Sequence, residues 1–201
     1  MKYILLVVSL LMLSACVATP LNIQPEFPES WDKPFAGDKE ECLSISGVYR
    51  NIGESHGDDM AQPPTLDGTV FSRPALVGQN GRVLIKYDET RSVLFVNLKG
   101  EYTRPRQNQW ISFEENISCE GGWHHIHRKS SSYSDGTFTD SEREILLARD
   151  PKGNLIVYSK YEDSSSSLLI LRSSSKINAW YKFDNIEEKK KRGHEKEKGS
   201  S

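Results

Sequence analysis

Short apolar segments separated by turn-forming residues recur along most of the chain. The segments are rich in valine, isoleucine, leucine and aromatic residues, and glycine, proline, asparagine, aspartate or serine bounds each of them, which is typical of β-strands joined by turns. We predict nine strands, at residues 46–51, 82–87, 92–98, 109–117, 123–128, 144–149, 155–161, 168–172 and 177–183. This pattern predicts an all-β domain whose strands form an antiparallel β-barrel or sandwich.

Turn residues support the strand assignment. Asn80-Gly81 and Asp135-Gly136 are pairs that readily adopt the positive backbone angles of tight hairpins. The stretches DPKGN at 150–154 and DSSSS at 163–167 separate the last predicted strands. We therefore expect the final strands to form an antiparallel meander.

The segment before Asp150 has two interpretations. Thr139 and Ser141 each precede a glutamate by three positions, as in a helix capping box, and lead into the apolar run ILLA. This run is short and soon meets Asp150-Pro151, so a strand is favoured, with a one-turn helix at its start as the alternative.

The first residues of the chain have the pattern of a secretory signal. Lys2 is followed by an apolar run at residues 3–13 and then by the small residues Ser14 and Ala15. The run is too short to span a bilayer, which takes roughly 20 apolar residues, but it fits the hydrophobic region of a signal peptide. We expect residues 1–15 to be removed.

The stretch Leu13-Ser14-Ala15-Cys16 resembles the lipobox of bacterial lipoproteins. The resemblance implies that Cys16 becomes the mature amino terminus and carries a diacylglycerol and an amide-linked acyl chain, which together anchor a protein firmly to a membrane. Val17 follows, not the aspartate that retains enterobacterial lipoproteins in the inner membrane. An outer-membrane protein facing the periplasm is therefore expected, with no cofactor beyond these covalent lipids.

Composition divides the mature chain and excludes one class of partner. Residues 16–41 contain four prolines and are predicted to be an extended tether, residues 42–185 the β domain, and the mostly charged residues 186–201 a disordered tail. Without residues 1–15 the formal charge is −3. A nucleic-acid partner is not expected, because there is no basic excess to neutralise phosphates.

Two cysteines remain once Cys16 is lipidated. In an oxidising periplasm, Cys42 and Cys119 are most simply interpreted as a disulfide, and two buried free thiols are the alternative.

Histidines in GGWHHIHR suggest a metal site. On a strand, Trp123, His125 and His127 would share one face, and two histidines at this spacing can chelate a metal such as zinc. The candidates for a further ligand are His56, Glu54, Asp58 or Asp59, in the loop GESHGDD. The alternative is that these side chains pack on a polar sheet face.

The stretch CLSISGVYRNIGE, from Cys42 onward, resembles the opening of the mature domain in a group of uncharacterised proteobacterial lipoproteins, where a cysteine precedes a Ser-Gly-x-Tyr strand. Gly47-Val48-Tyr49 is also similar to the G-x-W opening of lipocalins, which are small barrels that bind apolar ligands. Tyr49 replaces the lipocalin tryptophan. It is equally well explained as a core aromatic residue, with Gly47 permitting close backbone approach.

Three functions follow from these observations. The favoured hypothesis is a lipid-anchored envelope protein that binds or supports other envelope components, with an envelope protein as a candidate partner, and performs no chemistry. The alternatives are a lipocalin-like carrier of a small apolar ligand and a metal-dependent enzyme that uses His125 and His127. No catalytic motif is recognisable, so no catalytic residue is assigned.

Overall fold

The structure is a computed structural model, and it describes residues 26–35, 41–57, 63–72, 80–100, 111–167 and 171–187. The predicted signal segment, Cys16 and nearly all of the predicted tail lie outside these ranges. The described chain has one short helix, α1 (Leu66–Thr69), and ten strands. The strands are β1 (Gly47–Arg50), β2 (Glu54–His56), β3 (Arg82–Asp88), β4 (Val93–Lys99), β5 (Ile111–Asn116), β6 (Ser118–Glu120), β7 (Trp123–Ser134), β8 (Thr137–Arg149), β9 (Leu155–Ser167) and β10 (Leu171–Phe183).

The strands form two antiparallel sheets. The first sheet has the order β1-β3-β4-β5, and the second has the order β2-β10-β9-β8-β7-β6. The all-β prediction is therefore confirmed. Of the two architectures left open by the sequence, the described residues match a sandwich, because neither sheet closes on itself as a barrel does.

The core lies between the two sheets. Alternate residues of each strand point inward, as a period of two requires, and the inward apolar side chains of both sheets belong to one cluster. Burying each such side chain contributes about 1.5–3 kcal/mol. From the four-stranded sheet these include Val83, Ile85, Leu94, Val96 and Leu98, and from the six-stranded sheet Ile126, Ile145, Leu147, Leu155, Val157, Ala179, Tyr181 and Phe183.

Tyr49 is a core residue at the first strand, as the sequence suggests. Its side chain is fully buried, and its hydroxyl donates a hydrogen bond to the Ile45 carbonyl at 2.8 Å. A Cβ atom at Gly47 would lie 2.8 Å from Nδ2 of Asn185 and 3.1 Å from the Tyr49 hydroxyl. Glycine at this position thus allows the close approach of the chain to Tyr49.

Most predicted strands are present, and the main errors lie in the serine-rich segments. The segment before Asp150 is strand β8, and the last four strands form the expected meander. The DSSSS turn is wrong, because residues 163–167 belong to β9 and pair with β8 and β10. The described residues of the strands predicted at 168–172 and 177–183 are in strand conformation, but their separation into two strands is wrong, since residues 171–183 form the single strand β10.

Of the three other predicted turns, two are confirmed and one is not. Asp135 and Gly136 join β7 to β8 with φ values of 52° and 76°. In the turn at 150–154, a carboxylate oxygen of Asp150 accepts the backbone N–H groups of Lys152 and Asn154. Asn80-Gly81 does not form a two-residue hairpin. It directly precedes β3, and neither partner of β3 ends just before Asn80: β1 ends at Arg50, and β4 follows β3 in the chain.

Helix α1 is held against the six-stranded sheet by two arginines. Arg128 on β7 donates to the Val70 carbonyl at 2.8 Å, and Arg143 on β8 donates to the Thr69 carbonyl. Arg128 also pairs with Glu115 of β5 at 2.7 Å. Burial lowers the pKa of Arg143, which remains a cation because its ordinary pKa is so high. These contacts mark the end of the apolar core along β7 and β8.

Residues 26–35, within the predicted tether, pack on the outer face of the six-stranded sheet. The ring of Phe27 lies edge-on to that of Trp180, with centroids 5.1 Å apart, and the ammonium of Lys182 lies 4.9 Å from the centre of the Trp31 ring. Lys152 pairs with Asp32 at 2.6 Å. Contacts with the sheet therefore begin well before Cys42.

Candidate functional site

The six-stranded sheet extends past the core as a four-stranded polar ribbon. We call it the serine ribbon; it comprises residues 129–134 of β7, 137–142 of β8, 162–167 of β9 and 171–176 of β10. These strands stay paired in continuous antiparallel register. The ribbon has no sheet or helix of the described chain packed on it. Its outer strands, β7 and β10, are exposed where their side chains are described, and many residues of its inner strands, β8 and β9, are half-buried.

The face that continues the core side of the sheet carries almost only hydroxyl groups, and we call it the hydroxyl face. Register places its residues in two adjacent cross-strand rows, about 4.8 Å apart between strands and about 6.7 Å apart along them. The first row is Ser132, Thr139, Ser165 and Ser173, and the second is Ser130, Ser141, Asp163 and Ser175. The sequence pattern predicts a turn at residues 163–167 and does not predict this array.

Hydrogen bonding on the hydroxyl face is incomplete. The Ser165 and Ser173 hydroxyls are 2.7 Å apart, and the Tyr161 hydroxyl lies 3.4 Å from that of Ser141. The Oδ1 atom of Asp163 is shielded from solvent and has no hydrogen-bond partner among the residues that the structure describes. Asp163 as a residue is half-buried, so its carboxylate is an acceptor that a hydrogen-bond donor of a ligand can reach.

The opposite face of the ribbon is charged and internally paired. Glu162 forms ion pairs with Lys160 at 3.1 Å and with Lys176 at 3.0 Å. Glu142 pairs in the same way with His127 at 2.7 Å and with Lys129 at 3.3 Å. Hydrogen bonds from Lys176 and His127, respectively, are the main reason that the pKa of each glutamate lies below its ordinary value. The two faces thus differ in kind, with neutralised charges on one and hydroxyl groups on the other.

The ribbon also has two open edges. In the described part of the chain, β6 pairs with β7 only as far as His125, and β2 pairs with β10 only from Trp180 to Lys182. The rest of each outer strand presents unpaired backbone groups, which is a common way for sheets to meet other chains. Lys129, Arg128 and Lys176 lie along these edges, where charges oppose unspecific strand pairing.

The predicted histidine site is only partly assembled. His125 and His127 share the outer face of β7, as alternation predicts, but His125 lies 3.7 Å from Glu144 and His127 lies 2.7 Å from Glu142. No group of three potential metal ligands occurs among the residues that the structure describes. The idea that His56 joins them is wrong: β10, β9 and β8 separate β2 from β7, a distance of roughly 19 Å across the sheet.

The neighbouring His124 is buried and ties the start of the domain to β7. Its Nε2 lies 2.8 Å from the Leu43 carbonyl, so this nitrogen carries the proton, and its ring packs edge-on to Tyr87 at 4.5 Å. Burial lowers the pKa of His124 below its ordinary value. Cys42, which precedes Leu43, has its sulfur 2.12 Å from that of Cys119. The structure therefore brings the predicted pair to disulfide distance.

These features define an all-β protein of two antiparallel sheets with a protruding polar ribbon. Within the described ranges, no helix has the length and apolar character needed to cross a bilayer. Comparison with protein-family models, with curated proteins and with solved structures gave no match. Its function must therefore be inferred from the chemistry of its surfaces.

Proposed function

We propose that the chain is an envelope lipoprotein, anchored through lipid on Cys16, whose β domain is a non-enzymatic binding module. The serine ribbon is its binding element, and the hydroxyl face is the contact surface. One observation carries this proposal: four paired strands project past the core with no described layer packed on either face, and one of these faces holds seven hydroxyl groups and Asp163 in register.

The ribbon contributes little to the stability of the sandwich. Sheets are normally stable because one face is buried against another layer, and serine has little apolar surface to bury. The edge serines Ser130, Ser132, Ser173 and Ser175 are all exposed. The described structure offers no folding role for such an extension, so a role in binding is the better explanation.

The chemistry of the hydroxyl face favours a neutral hydroxylated polymer, which in the envelope means a glycan. A serine or threonine hydroxyl both donates and accepts hydrogen bonds, so an ordered array can satisfy a ligand that carries closely spaced hydroxyl groups. Asp163 adds an acceptor for a ligand hydroxyl or amide. Nucleic acid does not fit this face, because it offers no cation to a phosphate chain.

The test compares two adjacent serines of β9 that point to opposite faces. Ser165→Lys places a charged chain on the hydroxyl face, whereas Ser164→Lys places the same chain on the charged face and is the matched control. The full chain, purified in neutral detergent, is sedimented with peptidoglycan sacculi and, separately, mixed with soluble dextran. We expect Ser165→Lys to weaken binding about tenfold or more, because the lysine must be desolvated there, and Ser164→Lys to bind normally.

Two outcomes would contradict this proposal. One is a wild-type chain that binds neither sacculi nor dextran. The other is an equal loss of binding in both variants at unchanged thermal stability, which would assign no special role to the hydroxyl face.

The two alternative functions have less support. A lipocalin-like carrier needs a barrel with an interior cavity, whereas apolar side chains of both sheets pack together between them here. A metal-dependent enzyme needs further ligands beside His125 and His127, and their nearest described acidic partners, Glu144 and Glu142, contact one histidine each.

A further inference from the structure

A row of basic residues crosses the outer face of the four-stranded sheet at one end. Arg50 of β1 is the register partner of Arg82 of β3, and Arg82 is in turn the partner of Lys99 of β4. Direct cross-strand partners lie on the same face with Cβ atoms about 5 Å apart. We call these three residues the cationic row.

Like charges placed directly opposite each other destabilise a sheet. In the described part of the chain, neither Arg50 nor Arg82 forms an ion pair, and both are exposed. The other end of the same face is different, because Arg91 pairs with Glu114 at 2.9 Å. The repulsion between Arg50 and Arg82 is therefore a local feature in a chain that is negatively charged overall.

A groove beside the row combines hydrogen-bond donors for an anion with apolar side chains. It is lined by Arg50, Ile52, Asn80, Gly81, Arg82 and Ile186. The two guanidinium groups offer planar, forked donors that match phosphate oxygens, and the Asn80 amide adds neutral donors. Ile52 and Ile186 provide apolar surface next to them.

We propose that this groove binds a phosphate group, with an anionic phospholipid headgroup as its source. A bound phosphate would neutralise the opposed arginines, which explains why two cations face each other there. The choice of a lipid rests on the proposed anchoring through Cys16, which would keep the domain beside a leaflet. The phosphate chemistry itself follows from the row alone.

The experiment uses the full chain in neutral detergent and two probes. Inorganic phosphate is titrated by calorimetry, and in a second arm phosphatidylglycerol is added to the micelles while binding is followed by tryptophan fluorescence. We expect the double variant Arg50→Gln/Arg82→Gln to bind phosphatidylglycerol about tenfold more weakly or worse. Arg91→Gln is the matched control and should bind as the wild type does; Arg91 lies in the turn between β3 and β4, and its side chain pairs with Glu114 on the same face.

Each outcome tests a different part of the proposal: the phosphate site or the lipid as its ligand. Binding of free phosphate but not of the lipid would overturn the lipid source, and binding of neither probe would overturn the site. Loss of binding in Arg91→Gln as well would show a general charge effect. Thermal unfolding without ligand gives a second readout: removing the repulsion should leave the double variant as stable as the wild type or more so, and marked destabilisation would mean that the arginines are structural. None of these results depends on lipidation of Cys16.

Discussion

At the scale of single residues, His124 is the group most sensitive to its surroundings. Its imidazole is fully buried, one ring nitrogen contacts the Leu43 carbonyl, and the other, Nδ1, has no partner in the described part of the chain. A second proton on this ring would place an uncompensated charge in the interior. The neutral form is therefore the one compatible with the fold.

This burial makes folding stability depend on pH. Because the pKa of His124 is lowered in the folded state, the unfolded chain binds a proton that the folded chain does not, once the pH falls below about 6.5, the ordinary value. The free energy of unfolding should therefore decrease between pH 7 and pH 5, at up to about 1.4 kcal/mol per pH unit. Urea unfolding measured across this range tests the expectation.

A variant pair identifies the residue responsible. His124→Gln keeps a donor for Leu43 but cannot be protonated, so its stability should be nearly constant between pH 7 and pH 5. His56 is exposed, so the stability of His56→Gln should decrease between pH 7 and pH 5 as that of the wild type does. The glutamates Glu142 and Glu162, whose pKa values are lowered, lose their contribution only as the pH falls through lower values, near and below 4.5. An unchanged slope in His124→Gln would contradict the assignment.

Sequence alternation separated the two faces of β7 correctly but did not say which face is inside. Trp123, His125 and His127 do lie opposite His124 and Ile126, as predicted. Both faces begin with an aromatic or imidazole side chain, so hydropathy alone does not rank them. The decision comes from the second sheet, whose Tyr87 contacts His124. The separation of His56 from β7 likewise depends on strand order, which local sequence does not encode.

At the scale of elements, the apolar strands were predictable and the polar ones were not. Alternating apolar residues mark some segments as strands: β3, β4 and the parts of β8, β9 and β10 that lie outside the serine ribbon. The serine ribbon lacks this signal, because its extended conformation comes from pairing with neighbouring strands rather than from burial. The three-residue strands β2 and β6 and the four-residue helix α1 are too short to show any periodicity.

The segment at 26–35 provides a prediction about the predicted tether. Phe27 contacts Trp180 and Trp31 with ring centroids 5.1 Å and 6.2 Å apart. We expect Phe27→Ala to destabilise the domain by roughly 2 kcal/mol, which corresponds to a fall in Tm of about 5 °C. Phe138→Ala removes a phenylalanine that is 44% exposed, and this control should change stability by less than about 0.5 kcal/mol. Equal stability of Phe27→Ala and the wild type in thermal unfolding would show that the segment does not contribute to the fold.

At the scale of the whole molecule, the two proposed binding surfaces lie at opposite ends. The Arg50 backbone N–H donates to the Asp184 carbonyl, so the cationic row lies beside the carboxyl end of β10. The serine ribbon contains the other end of that strand, and the twelve steps from Leu171 to Phe183 span roughly 40 Å. If the cationic row faces a leaflet, the hydroxyl face is held well away from the lipid headgroups, where a glycan can reach it.

This arrangement is useful only if the chain is attached to the membrane, which the proposal assigns to Cys16. In a bacterial host that expresses the full chain, we expect the wild type to incorporate labelled palmitate and to remain with the membranes after an alkaline wash. Cys16→Ser should lose both properties, because a serine hydroxyl does not replace the thiolate that accepts the diacylglycerol. Cys42→Ser, which leaves Cys16 in place, should keep the label.

If Cys16 is lipidated as proposed, we expect the residue after it to decide which membrane holds the protein. By its resemblance to enterobacterial lipoproteins, the wild type with Val17 should sediment with the outer membrane in a sucrose gradient, and Val17→Asp should move to the inner membrane. Because lipidation is required for either location, a Cys16→Ser chain that still carries palmitate would contradict the anchor itself. A labelled wild type found in the inner membrane would contradict only the sorting, and the serine ribbon would then project into the periplasm from the other side.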